Sequence, residues 1–347
     1  MTNLSPNIFF KEEELEKKYS NENLKIKIPT NQTQYTFDLK ENYENFINNQ
    51  FPTADEKKKY FEYRNLWHKR AKNFDAGTFP LAVCAELVST CNLSCSMCYT
   101  ITNQFKNSVI GAQRMLPWST LKNIIDECKE LGVYSLLLSW RGEPTLYRDK
   151  DENGKEVDFA DAVKLARDAG ILEITAITHG QLINEEMAEK IVDAEPSWIS
   201  FSFDGIGEAY NKIRTPTKFK GKESKYNAFE VVSSNIKRLV KIRDRAGKKR
   251  PQIRSNTIFP AVSKNIDEYY HTLKDLGVDM ITVNEMLDLR DGKPVEDLID
   301  PNWACQYPFQ RLSVSSNGVI LPCTGAHKEE SGLVLGLYQG TKEKKLR

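Results

Sequence analysis

The chain has 347 residues with 49 Lys+Arg against 48 Asp+Glu, a formal net charge of +1, so it carries neither an overall basic footprint for nucleic acid nor an acidic surplus. Its first twenty residues lack the apolar run of a secretory signal, and no stretch is long and apolar enough to span a bilayer, so neither a membrane nor a nucleic acid is expected as a partner. Seven cysteines, an odd number without a secretory signal, point to a reducing, cytoplasmic setting and to metal-bound or buried thiols.

Residues 1–80 read as an N-terminal extension. Leu24–Ile28 and Tyr35–Leu39 each alternate polar with apolar residues, which predicts a short hairpin, and a polar, aromatic-spotted helix follows over 54–72. His68 lies in that helix among Lys and Arg and reads as surface.

From Leu81 onward strands alternate with amphipathic helices, the pattern of parallel βαβ units. The first strand, Leu81–Val88, holds the buried thiol of Cys84 and delivers a loop in which Cys91, Cys95 and Cys98 fall within eight residues. Thiolates this close can converge on one soft metal centre, and three of them leave one iron of a four-iron cluster open to another ligand. Structural zinc wants a fourth protein ligand at regular spacing, and none follows. A helix over 119–131 repeats Leu121, Ile124, Ile125, Cys128 and Leu131 at helical spacing before Gly132 stops it, which gives Cys128 a packing role.

The second strand, Tyr134–Trp140, ends in Arg141-Gly142-Glu143-Pro144, where glycine permits close backbone approach and the glutamate can accept from an ammonium group. A helix over 159–169 leads to the third strand, Leu172–Thr178, and the corner Thr178-His179-Gly180, where His179 can donate to a ligand or serve the turn itself. After a helix over 184–194, the fourth strand puts Ser200, Ser202 and Asp204 on one face and Ile199, Phe201 and Phe203 on the other. A polar face at a strand end suits an occupied barrel lumen. A basic helix over 227–246, a strand over 252–259, a helix over 266–276 and a sixth strand, Met280–Glu285, complete the series; the Lys/Arg cluster between Lys237 and Arg250 reads as a solvated face.

The last sixty residues break the alternation. Cys305 and Cys323 frame two strands joined by an Asn317-Gly318 corner, a hairpin that brings both thiols to one end.

The spacing Cys91-x3-Cys95-x2-Cys98 on a loop leaving a strand resembles the cluster motif of the radical S-adenosylmethionine (radical SAM) enzymes, although Met97 stands where that family usually has an aromatic residue and Tyr99 follows one place later. Arg141-Gly142-Glu143-Pro144 resembles the family's Gly-Gly-Glu-Pro, with arginine at the first glycine. Ser202-Phe203-Asp204-Gly205 resembles its Ser-x-Asp-Gly corner, and Arg214 stands at the position of an arginine that often follows. The C-terminal pair resembles the opening of the SPASM and twitch extensions, with the pattern then broken off and the extension shortened.

The resemblance implies an α/β fold, a partial (β/α)6 TIM-like barrel over 81–288, with an N-terminal extension (1–80) and a small C-terminal β-hairpin cysteine extension (289–347). It implies that Cys91, Cys95 and Cys98 hold a [4Fe–4S] cluster and that its open iron chelates S-adenosylmethionine (SAM). Gly142 and Glu143 would meet the SAM amino group, Ser202 its ribose or carboxylate and Arg214 its carboxylate, with Asp204 and His179 as further cofactor-binding candidates. Cys305 and Cys323 would be ligands of an auxiliary iron–sulfur cluster, in an extension that is either shortened or incomplete. Asp288 and Glu285, beyond the sixth strand, are candidate general bases by position. A reductant such as flavodoxin or ferredoxin would supply the electron, and the substrate would be a small carbohydrate-type metabolite or, alternatively, a peptide. A non-catalytic metal-binding protein is the rival class.

Overall fold

A computed structural model describes residues 40–103, 105, 115–219, 226–284, 305–325 and 333–338. The hairpin expected over 24–39 lies outside them. Helices α1 (Lys40–Gln50) and α2 (Ala54–Asn73) lead to strand β1 (Ala82–Ala85), helix α3 (Trp118–Leu131) and strand β2 (Ser135–Leu137). An antiparallel pair follows, β3 (Arg148–Lys150) and β4 (Glu156–Asp158), then α4 (Phe159–Asp168) and β5 (Glu173–Thr178). The chain continues through α5 (Glu185–Ala194), β6 (Trp198–Ser202), α6 (Glu208–Arg214), α7 (Ala228–Arg245), β7 (Gln252–Ile258), α8 (Phe259–Val262), α9 (Ile266–Asp275) and β8 (Met280–Asn284). Strands β9 (Arg311–Val314), β10 (Val319–Leu321) and β11 (Gly336–Leu337) close the described part.

Local chemistry sets these boundaries. Gly132 ends α3 in the left-handed region at φ 73°, where its amide reaches the Cys128 and Lys129 carbonyls. Asp158 and Asp161 form a reciprocal capping box at the start of α4. Asn184 and Asn227 cap α5 and α7 through their side-chain oxygens.

The structure divides into two compact units. One joins the residues up to Phe61 with Thr178–Leu287, and the other joins Glu62–Ile177 with the residues from Asp288 on. In the first, β7 lies between β6 and β8, all parallel, with Ser200 opposite Arg254 and Arg254 opposite Met280. Ile199, Phe201 and Phe203 are fully buried, and Phe203 packs against Tyr210, Phe229 and Tyr269 of the covering helices. Ser200 and Asp204 belong to the opposite, polar face, as the alternation predicts.

In the second unit β1 is parallel to β2 on one side and to β9 on the other, and β2 is parallel to β5. The C-terminal hairpin is therefore no free appendage. Its first strand pairs with β1 from Ala82↔Arg311 to Ala85↔Val314, while β10 and β11 extend the sheet antiparallel. Gln310 adds a side-chain bond from Nε2 to the Trp67 carbonyl, 3.0 Å, and the buried Tyr338 hydroxyl donates to Glu127 at 2.8 Å.

Candidate metal centre

Strand β1 ends at Ala85, and the segment after it is fixed at Val88 by an antiparallel bridge to Met115. The cysteine loop starts there. Cys95 is buried while Cys91 and Cys98 are partly exposed, and the loop turns where the Cys98 amide donates to the Cys95 carbonyl at 3.0 Å. Tyr99 opens the following 3-10 turn and packs edge-on against Phe105 at 5.5 Å.

The thiols of Cys91 and Cys98 take local partners. Leu93 N donates to Cys91 Sγ at 3.4 Å, and Cys98 Sγ lies 3.0 Å from Thr100 Oγ1. Among the described residues no three His, Cys, Asp or Glu side chains converge on a metal position. Burial pushes the Cys91 pKa up to about 12, and the negative charges of Glu143, Cys95 and Cys98 push it the same way. Iron supplies the opposite charge, so metal binding and deprotonation go together.

The Arg141-Gly142-Glu143 corner lies against this loop. A Cβ on Gly142 would come 2.3 Å from the Val88 carbonyl oxygen and 2.5 Å from that of Thr90. Only glycine allows that approach. The Glu143 amide donates to the Thr90 carbonyl at 2.9 Å, and its buried carboxylate accepts from Thr145 N at 3.1 Å and Thr145 Oγ1 at 2.5 Å.

These residues fit the implied cluster and its SAM ligand. The donors are three soft thiols on one loop beside a glycine-lined backbone, and Ser89, two residues before Cys91, is buried with no hydrogen-bond partner on its hydroxyl. Cys91, Cys95 and Cys98 would hold the cluster, with Gly142 and Glu143 toward the SAM amino group.

The remaining SAM candidates belong to the first unit. His179 is buried at the β5–α5 corner, where its Nδ1 accepts from Gln181 N at 3.1 Å, a bond that serves the turn. Asp204 and Arg214 come together: the guanidinium clasps Asp204 Oδ2, with Nε at 2.8 Å, while Asp204 Oδ1 accepts from Thr257 Oγ1 at 2.9 Å and Ile258 N at 3.3 Å. Ser202 stands at the end of β6, in register with Asn256.

Cys305 precedes the C-terminal hairpin and Cys323 follows it, and no disulfide joins them. Cys323 packs with Leu321, Val319 and Trp140. Glu285 and Asp288 lie outside the described residues.

Sequence reasoning passes over two residues here, Glu86 and Arg141. Arg141 Nε donates to Glu86 Oε1 at 2.8 Å and Nη2 to Oε2 at 2.6 Å, in a pair whose side chains are 3% and 0% exposed. The departure from glycine at position 141 is the one signal the sequence offers.

The family model described as the radical SAM superfamily matches residues 86–241. The tungsten-containing aldehyde ferredoxin oxidoreductase cofactor-modifying protein of Pyrococcus furiosus is 24% identical over 216 residues, 62% of this chain and 53% of that protein. The Fe-coproporphyrin III synthase of Methanosarcina barkeri is 29% identical over 222 residues, 62% of this chain and 49% of that protein. This chain thus spans about half the length of these curated relatives. Streptococcus suis SuiB has the same fold at 15–16% identity. Solved with S-adenosylmethionine it matches with a TM-score of 0.51 over 78% of this chain and 66% of SuiB, and with its precursor peptide SuiA at 0.55 over 96% and 74%.

Proposed function

We propose, from the match of residues 86–241 to the radical SAM family model, that this chain is a radical SAM enzyme that cleaves SAM reductively and uses the product radical on a small-molecule substrate. When bound, the [4Fe–4S] cluster supplies the electron that splits SAM into methionine and a 5′-deoxyadenosyl radical, which takes hydrogen from an unreactive C–H bond. The protein's own part is holding and shielding. Cys91, Cys95 and Cys98 present thiolates from one loop, Glu143 offers its carboxylate to the SAM ammonium group, and Gly142 lets the backbone of its corner approach the Val88–Thr90 segment closely. Ser202 and Arg214 are assigned to the SAM ribose and carboxylate, with Asp204 orienting the Arg214 guanidinium through the bond at its Nε.

The observation that supports this reading is the close approach of the Gly142–Glu143 backbone to the Val88–Thr90 segment that leads into the cysteine loop. A small metabolite is favoured because both curated relatives are named for work on a cofactor or a porphyrin. The carbohydrate class is one such metabolite. A peptide is the second reading, supported by the match to peptide-bound SuiB over 96% of this chain. A flavodoxin- or ferredoxin-type reductant and a cytoplasmic setting complete the proposal, Glu285 and Asp288 remain its candidate general bases, and Cys305 and Cys323 its candidate auxiliary ligands.

The test is anaerobic reconstitution with iron and sulfide, then dithionite and SAM, with 5′-deoxyadenosine followed by mass-resolved chromatography. The nucleoside forms, with about four irons per chain, or about eight if Cys305 and Cys323 support an auxiliary cluster. Iron-free protein that yields no nucleoside sinks the proposal in favour of a metal-binding protein without catalysis.

A further inference from the structure

Glu86 is the first residue after β1, on the way to the cysteine loop, and its side chain is wholly buried. Four donors meet it. Arg141 contributes its amide at 3.1 Å and Nε at 2.8 Å to Oε1, and Nη2 at 2.6 Å to Oε2, while the Ser316 amide from the β9–β10 turn donates to Oε2 at 3.1 Å. One carboxylate thereby joins the segment before the cysteines, the Gly142–Glu143 corner and the C-terminal hairpin.

The arginine is held from other sides too. Its guanidinium stacks on the Trp140 ring at 3.9 Å and approaches the Phe105 ring at 5.7 Å. Trp140 in turn donates from Nε1 to the Thr324 carbonyl at 3.0 Å, a second tie to the hairpin. The next residue is Gly142, in backbone contact with Val88 and Thr90, and after it comes Glu143, bonded through its amide to Thr90. Two short segments, 86–90 and 141–143, are thus clamped along their whole length.

A buried ion pair is a poor device for stability alone, because apolar residues of equal volume hold a fold as well or better. What a forked, fully bonded pair adds is a fixed geometry. A ligand site displaced by an ångström loses much of its effect, so the rigid placement of Glu143 has a direct bearing on what it binds.

We propose that Glu86 and Arg141 are positioning residues that set Glu143 for the SAM amino group, and that the C-terminal hairpin is a working part of this clamp through Ser316. The proposal rests on the SAM-cleaving reading above. Glycine at position 141, as in the resemblance, could not form it, so the clamp is a property of this chain.

The test uses the full-length, anaerobically reconstituted protein and SAM itself as the probe. Glu86→Leu with Arg141→Met removes both charges together, so that no buried charge is left alone and only the Arg141 and Ser316 amides lose their acceptor. We expect this double variant to keep its iron and to unfold cooperatively while its Kd for SAM, by equilibrium dialysis, rises at least tenfold. Arg141→Lys keeps the charge without the fork and should weaken SAM by a smaller factor. In the wild type, SAM should slow hydrogen exchange at the Ser316 amide, and in the double variant it should not. A folded, iron-replete double variant with wild-type SAM affinity overturns the clamp. If the double variant does not fold, unchanged affinity in Arg141→Lys overturns it instead. A wild type that holds its iron and binds no SAM fails at the parent reading.

Discussion

Cys95 and Gly142 make opposite demands at the same place, one for a donor and one for the absence of a side chain. Cys95→Ala removes one of three thiols, so retained iron should fall from about four per chain toward none and 5′-deoxyadenosine formation should cease; iron assay and chromatography check both. Gly142→Ala puts a methyl group 2.3 Å from the Val88 oxygen, which is backbone and cannot turn aside. Overpacking of this kind costs about 1–3 kcal/mol. The expected result is a lower thermal midpoint together with weakened SAM binding. At this scale the sequence was a good guide where chemistry is local, as in the three cysteines and the Gly142-Glu143 corner. It was blind to the Glu86–Arg141 pair, because the partners stand 55 residues apart and the arginine at the first glycine position does not point to its partner.

Among the elements, the corner after β6 repeats the logic of a clamp in milder form. Asp204 is 2% exposed and receives Arg214, Thr257 and Ile258. Arg214→Met strands that carboxylate. Loss of one member of a buried pair costs about 3–5 kcal/mol, and because the arginine is 18% exposed the value should fall at the lower end; urea unfolding measures it. The helices of the alternating region were legible because apolar periodicity and caps agree, as in α3 with its Gly132 stop. Helix α1 was not, since the polar sequence around Phe46 and Ile47 offers only a thin apolar stripe. Strands β3 and β4 are polar and only three residues each, too short for an alternating pattern to register.

At the scale of the molecule, the C-terminal hairpin completes the second unit. Deleting residues 305–347 would strip β9 from β1, leave Glu86 without the Ser316 amide, and remove the Tyr338 bond to Glu127. The prediction is a chain that loses cooperative unfolding and soluble yield, where a dispensable auxiliary tail would leave both intact. Circular dichroism on heating separates the two. The sequence placed this hairpin correctly and missed its pairing, because a parallel partner more than two hundred residues away leaves no periodic trace.

The pairing of β9 with β1 also imposes an order in time. Glu86 and Ser316 are 230 residues apart in the chain, so at ribosomal rates of roughly 5–20 residues per second the carboxylate waits on the order of ten seconds or more for its last amide. Through that interval β1 has an open edge beside the cysteine loop. Such long-range closure is slow and leaves strand edges exposed. The cysteines therefore emerge from the ribosome well before the sheet that frames them is complete, and iron loading is best timed to follow release of the finished chain.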